Sequence, residues 1–333
     1  MGSGGEGALL KVGKLDVSFD GNHGAPSAHA LRGLDLAVGP AEICGLVGES
    51  GSGKTVTSTC IMGLLPMPPA RVNEGEIVWK GRDLLLVGAE ERRKVRGREI
   101  AMVFQEPGRY LNPSFRIGSQ ITEMLRLHLG MEQAAALSRA AELADVVGLG
   151  GARRVLQSYP HELSGGMKQR AMIAMAISCH PSLLIADEPT TALDVTLQLQ
   201  ILRLLLHLRE TLRMAVLFIS HDLRQVRVVA DRVSVIYAGR VVESAPREQL
   251  FEGPLHPYTR MLMLCAPSAR GRGTRLAAIP GRAPDATSVP DGCAFHPRCP
   301  LAEEVCRHET PPSLERTPSH RAACHLVGKK WPV

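Results

Sequence analysis

The sequence contains no apolar run near the ~18–20 residues required to cross a bilayer, so any membrane role is expected to be peripheral. Its N-terminus, Met-Gly-Ser-Gly-Gly-Glu-Gly, lacks the basic start and apolar stretch of a secretory signal. Glu6 stands where N-myristoylation needs Ser or Thr. A cytosolic chain is expected. No block of five or six like charges occurs, and no segment repeats. What is present is an ordinary globular balance. Hydrophobic residues make up 44% and charged residues 22% of 333, with a mean hydropathy of zero, which argues against disorder. That length suits one large α/β domain, alone or with a smaller appendage. The net charge of +6 is spread thinly and suits phosphate ligands or an anionic membrane face as well as nucleic acid.

Composition shifts near Pro267. The last 68 residues hold 10 of the 23 prolines and four of the eight cysteines, with little apolar periodicity. They are expected to form an irregular extension rather than a second helix-and-sheet domain. Before it, Lys14 to Phe19 alternates apolar and polar, as do Leu34, Leu36 and Val38, marking half-buried antiparallel strands around a loose loop at 20–28. Ile43 to Val47, Leu183 to Ala186, Ala215 to Ile219 and Val233 to Tyr237 are continuous apolar runs, the mark of strands buried on both faces. Leu197, Ile201, Leu204, Leu205, Leu208 and Leu212 form one helix face, and 117–129, 132–147 and 165–179 also read as helical. The expected fold is α/β, a mainly parallel sheet with a helical insertion over about 90–180.

Gly48-Glu49-Ser50-Gly51-Ser52-Gly53-Lys54-Thr55 fits G-x-x-x-x-G-K-[ST], after a buried strand and before a helical stretch. Glycines let consecutive N–H groups face phosphates, and the helix N-terminus adds its positive end. Lys54 reaches the β- and γ-phosphates, and the Thr55 hydroxyl can ligate Mg²⁺. Leu183-Leu184-Ile185-Ala186-Asp187-Glu188 is an apolar strand ending in two carboxylates. Asp187 is placed to hold the metal, and Glu188 to orient or deprotonate a water for in-line attack.

Leu163-Ser164-Gly165-Gly166-Met167 opens a helix with a hydroxyl and free N–H groups, a second anion site that is weak as a lone motif. Taken with the motifs before and after it, the chain resembles the nucleotide-binding subunit of ATP-binding-cassette (ABC) transporters. In that family the signature is usually Leu-Ser-Gly-Gly-Gln just ahead of the acidic strand; Met167 departs from the glutamine. The resemblance implies a P-loop core with an antiparallel subdomain and a helical subdomain. It implies that Phe19 stacks on adenine, that Gln105 senses Mg²⁺ and the attacking water, and that His221 contacts the γ-phosphate. It implies head-to-tail pairing, in which the Ser164, Gly165, Gly166 and Asp194 of one molecule complete the ATP site of another.

Cys44, Cys60, Cys179 and Cys265 sit in apolar sequence and read as buried thiols. Cys293, Cys299, Cys306 and Cys324 are spaced C-x5-C-x6-C-x17-C in a segment too small to build its own core. A disulfide pair is not expected in the cytosol. The absence of C-x2-4-C pairs favours an iron–sulfur cluster over zinc, although His296, His308, His320 and His325 leave a mixed zinc site open. Pro280 to Pro284 and Gly292 to Pro300, with His256-Pro257-Tyr258-Thr259 before them, are similar to the C-terminal extension of dipeptide/oligopeptide-importer ATPases. That resemblance implies a [4Fe-4S] cluster on the four cysteines. It divides the chain at 8–265 and 266–333. It also implies a related ATPase partner, two permease subunits, an external peptide-binding protein, and a place at the cytoplasmic face of the inner membrane. A nickel or other small-solute importer is one rival. A soluble cassette ATPase acting on nucleic acid or ribosomes is another, disfavoured because the chain has a single phosphate loop and the tail offers only Phe295 and Trp331 as stacking residues.

Overall fold

The computed structural model describes residues 7–21, 26–265 and 278–328. Glu6, Pro267 and Trp331 lie outside them. The described residues form two compact units, one from 1–39, 43–85 and 220–333, the other from 40–42 and 86–219. The first unit opens with β1 (Leu10–Phe19), β2 (Ala28–Val38), β3 (Ile43–Val47), α1 (Lys54–Ile61), β4 (Ala70–Trp79) and β5 (Arg82–Asp83). The second unit supplies α2 (Ala89–Val95), β6 (Ile100–Val103), α3 (Pro107–Tyr110), α4 (Ile117–Leu129), α5 (Gln133–Val146) and α6 (Ala152–Gln157). It continues with α7 (Gly165–Ile177), β7 (Leu183–Asp187), α8 (Val195–Leu212) and β8 (Ala215–Ser220). The chain then returns to the first unit with α9 (Leu223–Val229), β9 (Arg232–Tyr237), β10 (Arg240–Pro246), α10 (Arg247–Glu252), α11 (Pro257–Leu264), α12 (Val305–His308), β11 (Ser313–Thr317) and β12 (His320–Ala323).

In the first unit β2, β1, β4 and β5 lie in that order as an antiparallel sheet. Val12 and Leu15 are both buried although three residues apart, a spacing that strict alternation would put on opposite faces. A register shift between them, with Lys14 at φ 46°, is a bulge that returns Leu15 and Val17 to the core. The second sheet of this unit runs β11, β12, β10, β9, β3. Its β3 is parallel to β9, with Val47 opposite Val235, and all five β3 residues are buried. In the second unit β6, β7 and β8 are parallel, placing Asp187 opposite Ile219, and all five residues of β7 are buried.

The helices expected over 117–129, 132–147 and 165–179 are α4, α5 and α7. Two readings need correction. The tail is not wholly irregular: β12 pairs with β10 (Glu243 opposite Ala322), and β11 with β12. No residue of β11 is buried, so it carries no apolar alternation to betray it. Cys265 is half-exposed at the end of α11, whereas Cys44, Cys60 and Cys179 are buried. Among the described residues no helix is long and apolar enough to cross a membrane.

Candidate nucleotide site

In the first unit the turn between β3 and α1 is shaped by close approach. A Cβ on Gly48 would lie 2.2 Å from the Ile236 carbonyl oxygen of β9. Gly53 adopts φ 106°, and a Cβ there would meet Leu31 Cδ2 at 2.8 Å and Ala30 O at 2.9 Å, so only glycine fits. Lys54 is 5% exposed, and its ammonium donates to the Gly48 and Glu49 carbonyls at 2.8 and 3.0 Å, curled along the loop that precedes it. The first turn of α1 has neither an acidic residue nor a side-chain cap, so its positive end stays uncompensated by carboxylate. Ser52 Oγ is buried with no hydrogen-bond partner among the described residues, a hydroxyl that a phosphate oxygen would satisfy. Ser50, Gly51 and Thr55 are exposed. Phe19 is half-buried at the end of β1, opposite Ala28 and Ala70, so it is not a core side chain. His221 is exposed between β8 and the Asp222 that caps α9.

The second unit holds the acidic strand end. Asp187 is 3% exposed at the last position of β7. Glu188 follows in the left-handed region, φ 47°, a strained conformation for a residue with a Cβ and a frequent mark of a functional position. Its N–H donates to the Ile219 carbonyl at 2.9 Å. Its Oε2 accepts from Gln105 Nε2 and from Thr191 Oγ1, both at 3.0 Å, so two donors fix one carboxylate oxygen. Gln105 and Glu188, each read from the sequence as meeting the attacking water, are in direct contact.

Ser164 is the N-cap of α7, its hydroxyl accepting from Met167 N–H at 3.4 Å. The contact uses the backbone of residue 167, so methionine leaves it intact. A Cβ on Gly166 would press on Leu197 of α8 at 3.2 Å, while Gly165 has open space to 3.8 Å. Asp194 caps α8, accepting from Leu197 N–H at 2.9 Å, and is exposed. Of the expected Mg²⁺ ligands, Thr55 belongs to the first unit and Gln105 and Asp187 to the second.

The C-terminal extension reaches the phosphate loop within the first unit. Arg298 forks onto the Glu49 carboxylate at 2.6 and 2.9 Å, and also donates to Tyr237 Oη and to the Pro280 carbonyl. Glu49 N–H donates to Tyr258 Oη at 2.9 Å. Tyr237, Tyr258 and Phe295 pack with centroids 4.6 to 5.3 Å apart, and Phe295 is 1% exposed, so its face is closed to a nucleobase. Burial pushes the Cys299 and Cys324 thiols up to about 11 and raises that of Cys293, each raised further by neighbouring cysteines of the same four. Four cysteine sulfurs are donors that suit a soft metal in kind. Among the described residues, however, no three His, Cys, Asp or Glu side chains are arranged to hold a metal ion.

Residues 31–191 match the ABC transporter family, and residues 242–306 match the C-terminal region of oligopeptide/dipeptide transporters. The chain is 48% identical over 317 residues to a probable peptide ABC transporter ATP-binding protein of Sinorhizobium fredii, covering 95% of this chain and 94% of that one. It is 45% identical over 318 residues to the dipeptide transport ATP-binding protein DppD of Escherichia coli K12, covering 96% of each. The chain belongs to the ATP-binding subunits of oligopeptide/dipeptide ABC transporters. It is a cassette ATPase of the P-loop fold. The dimeric ATP-binding cassette MJ0796, solved with ADP and Pi, superposes with a TM-score of 0.64 at 26% identity, over 72% of this chain and 99% of that one.

Arg298 and Tyr258 were not singled out by the sequence as site-building residues, and Thr191 only as the start of the loop that ends at Asp194, not as a partner of Glu188. Thr191 was legible in principle, three residues after Glu188 on the same turn. Arg298 and Tyr258 lie 249 and 209 residues from Glu49, and no local pattern announces such a contact.

Proposed function

We propose that this cassette ATPase powers the import of dipeptides or oligopeptides across the cytoplasmic membrane. ATP would be held by Gly48 to Thr55, with Phe19 against the base and Mg²⁺ held by Thr55, Gln105 and Asp187. Glu188 takes a proton from the attacking water, and His221 meets the γ-phosphate. Ser164, Gly165, Gly166 and Asp194 serve the site of a paired, related subunit, so that nucleotide joins two surfaces and hydrolysis parts them. Two permeases and an external binding protein would complete the machine, with this chain peripheral at the cytoplasmic face. The observation that carries the chemistry is the Glu188 carboxylate, held in a left-handed backbone with one oxygen fixed by two donors. Peptide cargo is supported by the match of residues 242–306 to the transporter C-terminal region.

The domain boundary at 265/266 and a [4Fe-4S] cluster on Cys293, Cys299, Cys306 and Cys324 belong to the same proposal. The cluster would staple the extension, and no step of hydrolysis runs through it. Iron and sulfide content of anaerobically isolated chain is its test; iron-free protein ends it.

The deciding experiment is Glu188→Gln. The variant should bind ATP like the parent and lose turnover by more than a hundredfold. Cells whose own subunit is deleted should regain dipeptide uptake with the parent chain and not with the variant. Parent-like hydrolysis by Glu188→Gln removes Glu188 from the mechanism, and restored nickel rather than peptide uptake reassigns the cargo.

A further inference from the structure

We propose that Arg298 is a positioning residue for the phosphate loop, so that the cysteine-bearing extension sets the affinity of the cassette for nucleotide. Arg298 touches no expected reacting atom; it acts through Glu49. That residue is the pivot of the loop. Its carbonyl accepts from Lys54 Nζ at 3.0 Å and from Ser52 N–H at 3.2 Å, and its own N–H is tied to Tyr258 Oη. A shift of Glu49 therefore moves the lysine anchor and the turn that orients Ser52. What holds its side chain is a two-pronged guanidinium–carboxylate contact, the strongest geometry such a pair adopts.

The guanidinium is itself fixed. Its side chain is 5% exposed, against 28% for Glu49, and it is braced by Tyr237 Oη and the Pro280 carbonyl. Its backbone belongs to the tight turn between two of the four cysteines: His296 N–H donates to Cys293 O, Arg298 N–H to Phe295 O and Cys299 N–H to His296 O. Cys293 N–H in turn donates to Cys306 O, where a Cβ on Gly292 would approach to 2.5 Å. The path from the cysteine turn to Lys54 is thus three residues long: Arg298, Glu49, Lys54. It crosses 249 residues of sequence, which suits control of the loop by the extension better than local stiffening.

The inference rests on the reading of Gly48 to Thr55 as the ATP site. It is tested on the purified full chain by equilibrium binding of trinitrophenyl-ATP displaced with MgATP. Arg298→Met should weaken binding about tenfold, equivalent to about 1.4 kcal/mol. Arg298→Lys keeps the charge but not the fork, and should recover at most a third of that loss. Glu49→Gln combined with Arg298→Met should be no weaker than the worse single variant, because both remove one contact. KM for ATP should rise while kcat stays within twofold, a split that general loosening of the fold would not give. If Arg298→Met does not fold, Arg298→Lys and Glu49→Gln, melting within 2–3 °C of the parent, read the same contact. Unchanged affinity in folded variants, or additive losses in the double variant, overturns the positioning role while leaving ATP binding in place. A parent chain that binds no nucleotide overturns both.

Discussion

The phosphate loop and the acidic strand end, to which complementary roles are proposed, are held in different ways. The carboxylate of Glu188 is fixed by Thr191 three residues on and by Gln105 just beyond the neighbouring strand, within one parallel sheet. The loop at Gly48 to Gly53 is fixed by parts of the chain far away in sequence: the Ile236 carbonyl, the Ala30 carbonyl, Tyr258 and Arg298. One region owes its shape to its own strands. The other is moulded by close backbone approach and by a C-terminal segment added to the sheet edge. Rigidity at the loop is therefore distributed, and small changes there should reach further than at the strand end.

The sharpest test compares two glycines. Gly48→Ala puts a methyl group 2.2 Å from a backbone oxygen that cannot swing aside, whereas Gly165→Ala meets nothing nearer than 3.8 Å. Gly48→Ala should cost about 3 kcal/mol in urea unfolding. Gly165→Ala should change stability by under about 1 kcal/mol, alanine even favouring the first turn of α7. Equal losses at the two sites would erase the distinction drawn between the regions.

A second test uses acid. His256 caps α11 through Nδ1, which accepts from Tyr258 N–H at 3.0 Å, and it is 1% exposed. Burial pushes it down to about 4, against the pull of Glu243, which favours the charged ring. Glu243 accepts from His256 N–H, Leu255 N–H and His320 Nε2, so the extension and α11 meet on one carboxylate. Because the folded chain refuses a proton that the unfolded chain accepts, His256 contributes fully above pH 6.5. The contribution is lost as pH falls from 6.5 toward 4, about 2 kcal/mol between pH 7 and pH 5. His256→Asn retains a capping oxygen and removes the titration. The urea midpoint of the parent should fall more steeply with acid than that of His256→Asn, and parallel curves would contradict the assignment.

What was legible in the sequence follows the same division. Ile43 to Val47 and Leu183 to Ala186 are continuous apolar runs because strands buried on both faces admit nothing polar, so both motif-bearing strands could be located. The α4 helix was readable to its ends, its stop marked by Gly130 at φ 65°. β4 was not, since Arg71, Asn73, Glu74 and Glu76 break any alternation on a strand with little buried surface. β11 and β12 were hidden for a related reason: a short edge ribbon among prolines has almost no apolar face to periodise. The phosphate-loop glycines were recognised by spacing, but the reason each must be glycine, a carbonyl across the sheet or a left-handed turn, exists only once β9 and β2 are in place. Glu49 was assigned to the loop as one of its variable positions. Its clamp comes from a segment that composition marks only as irregular.

The smallest expected effect probes the strand end, where a lost contact has a neighbour to share the load. Thr191→Val keeps the shape of the side chain and deletes the hydroxyl that donates to Glu188 Oε2, while the Gln105 donor to that oxygen stays in place. A single hydrogen bond of this kind contributes about 0.5–1.5 kcal/mol, so kcat for ATP should fall by roughly two- to tenfold. KM should hold, because Thr191 acts through Glu188, proposed as the base for the attacking water, and not on the phosphate loop. The pattern is the inverse of that expected for Arg298→Met, which should move KM and spare kcat. Finding both variants with the same KM and kcat profile would mean that the two regions are not separately built, whatever the size of either change.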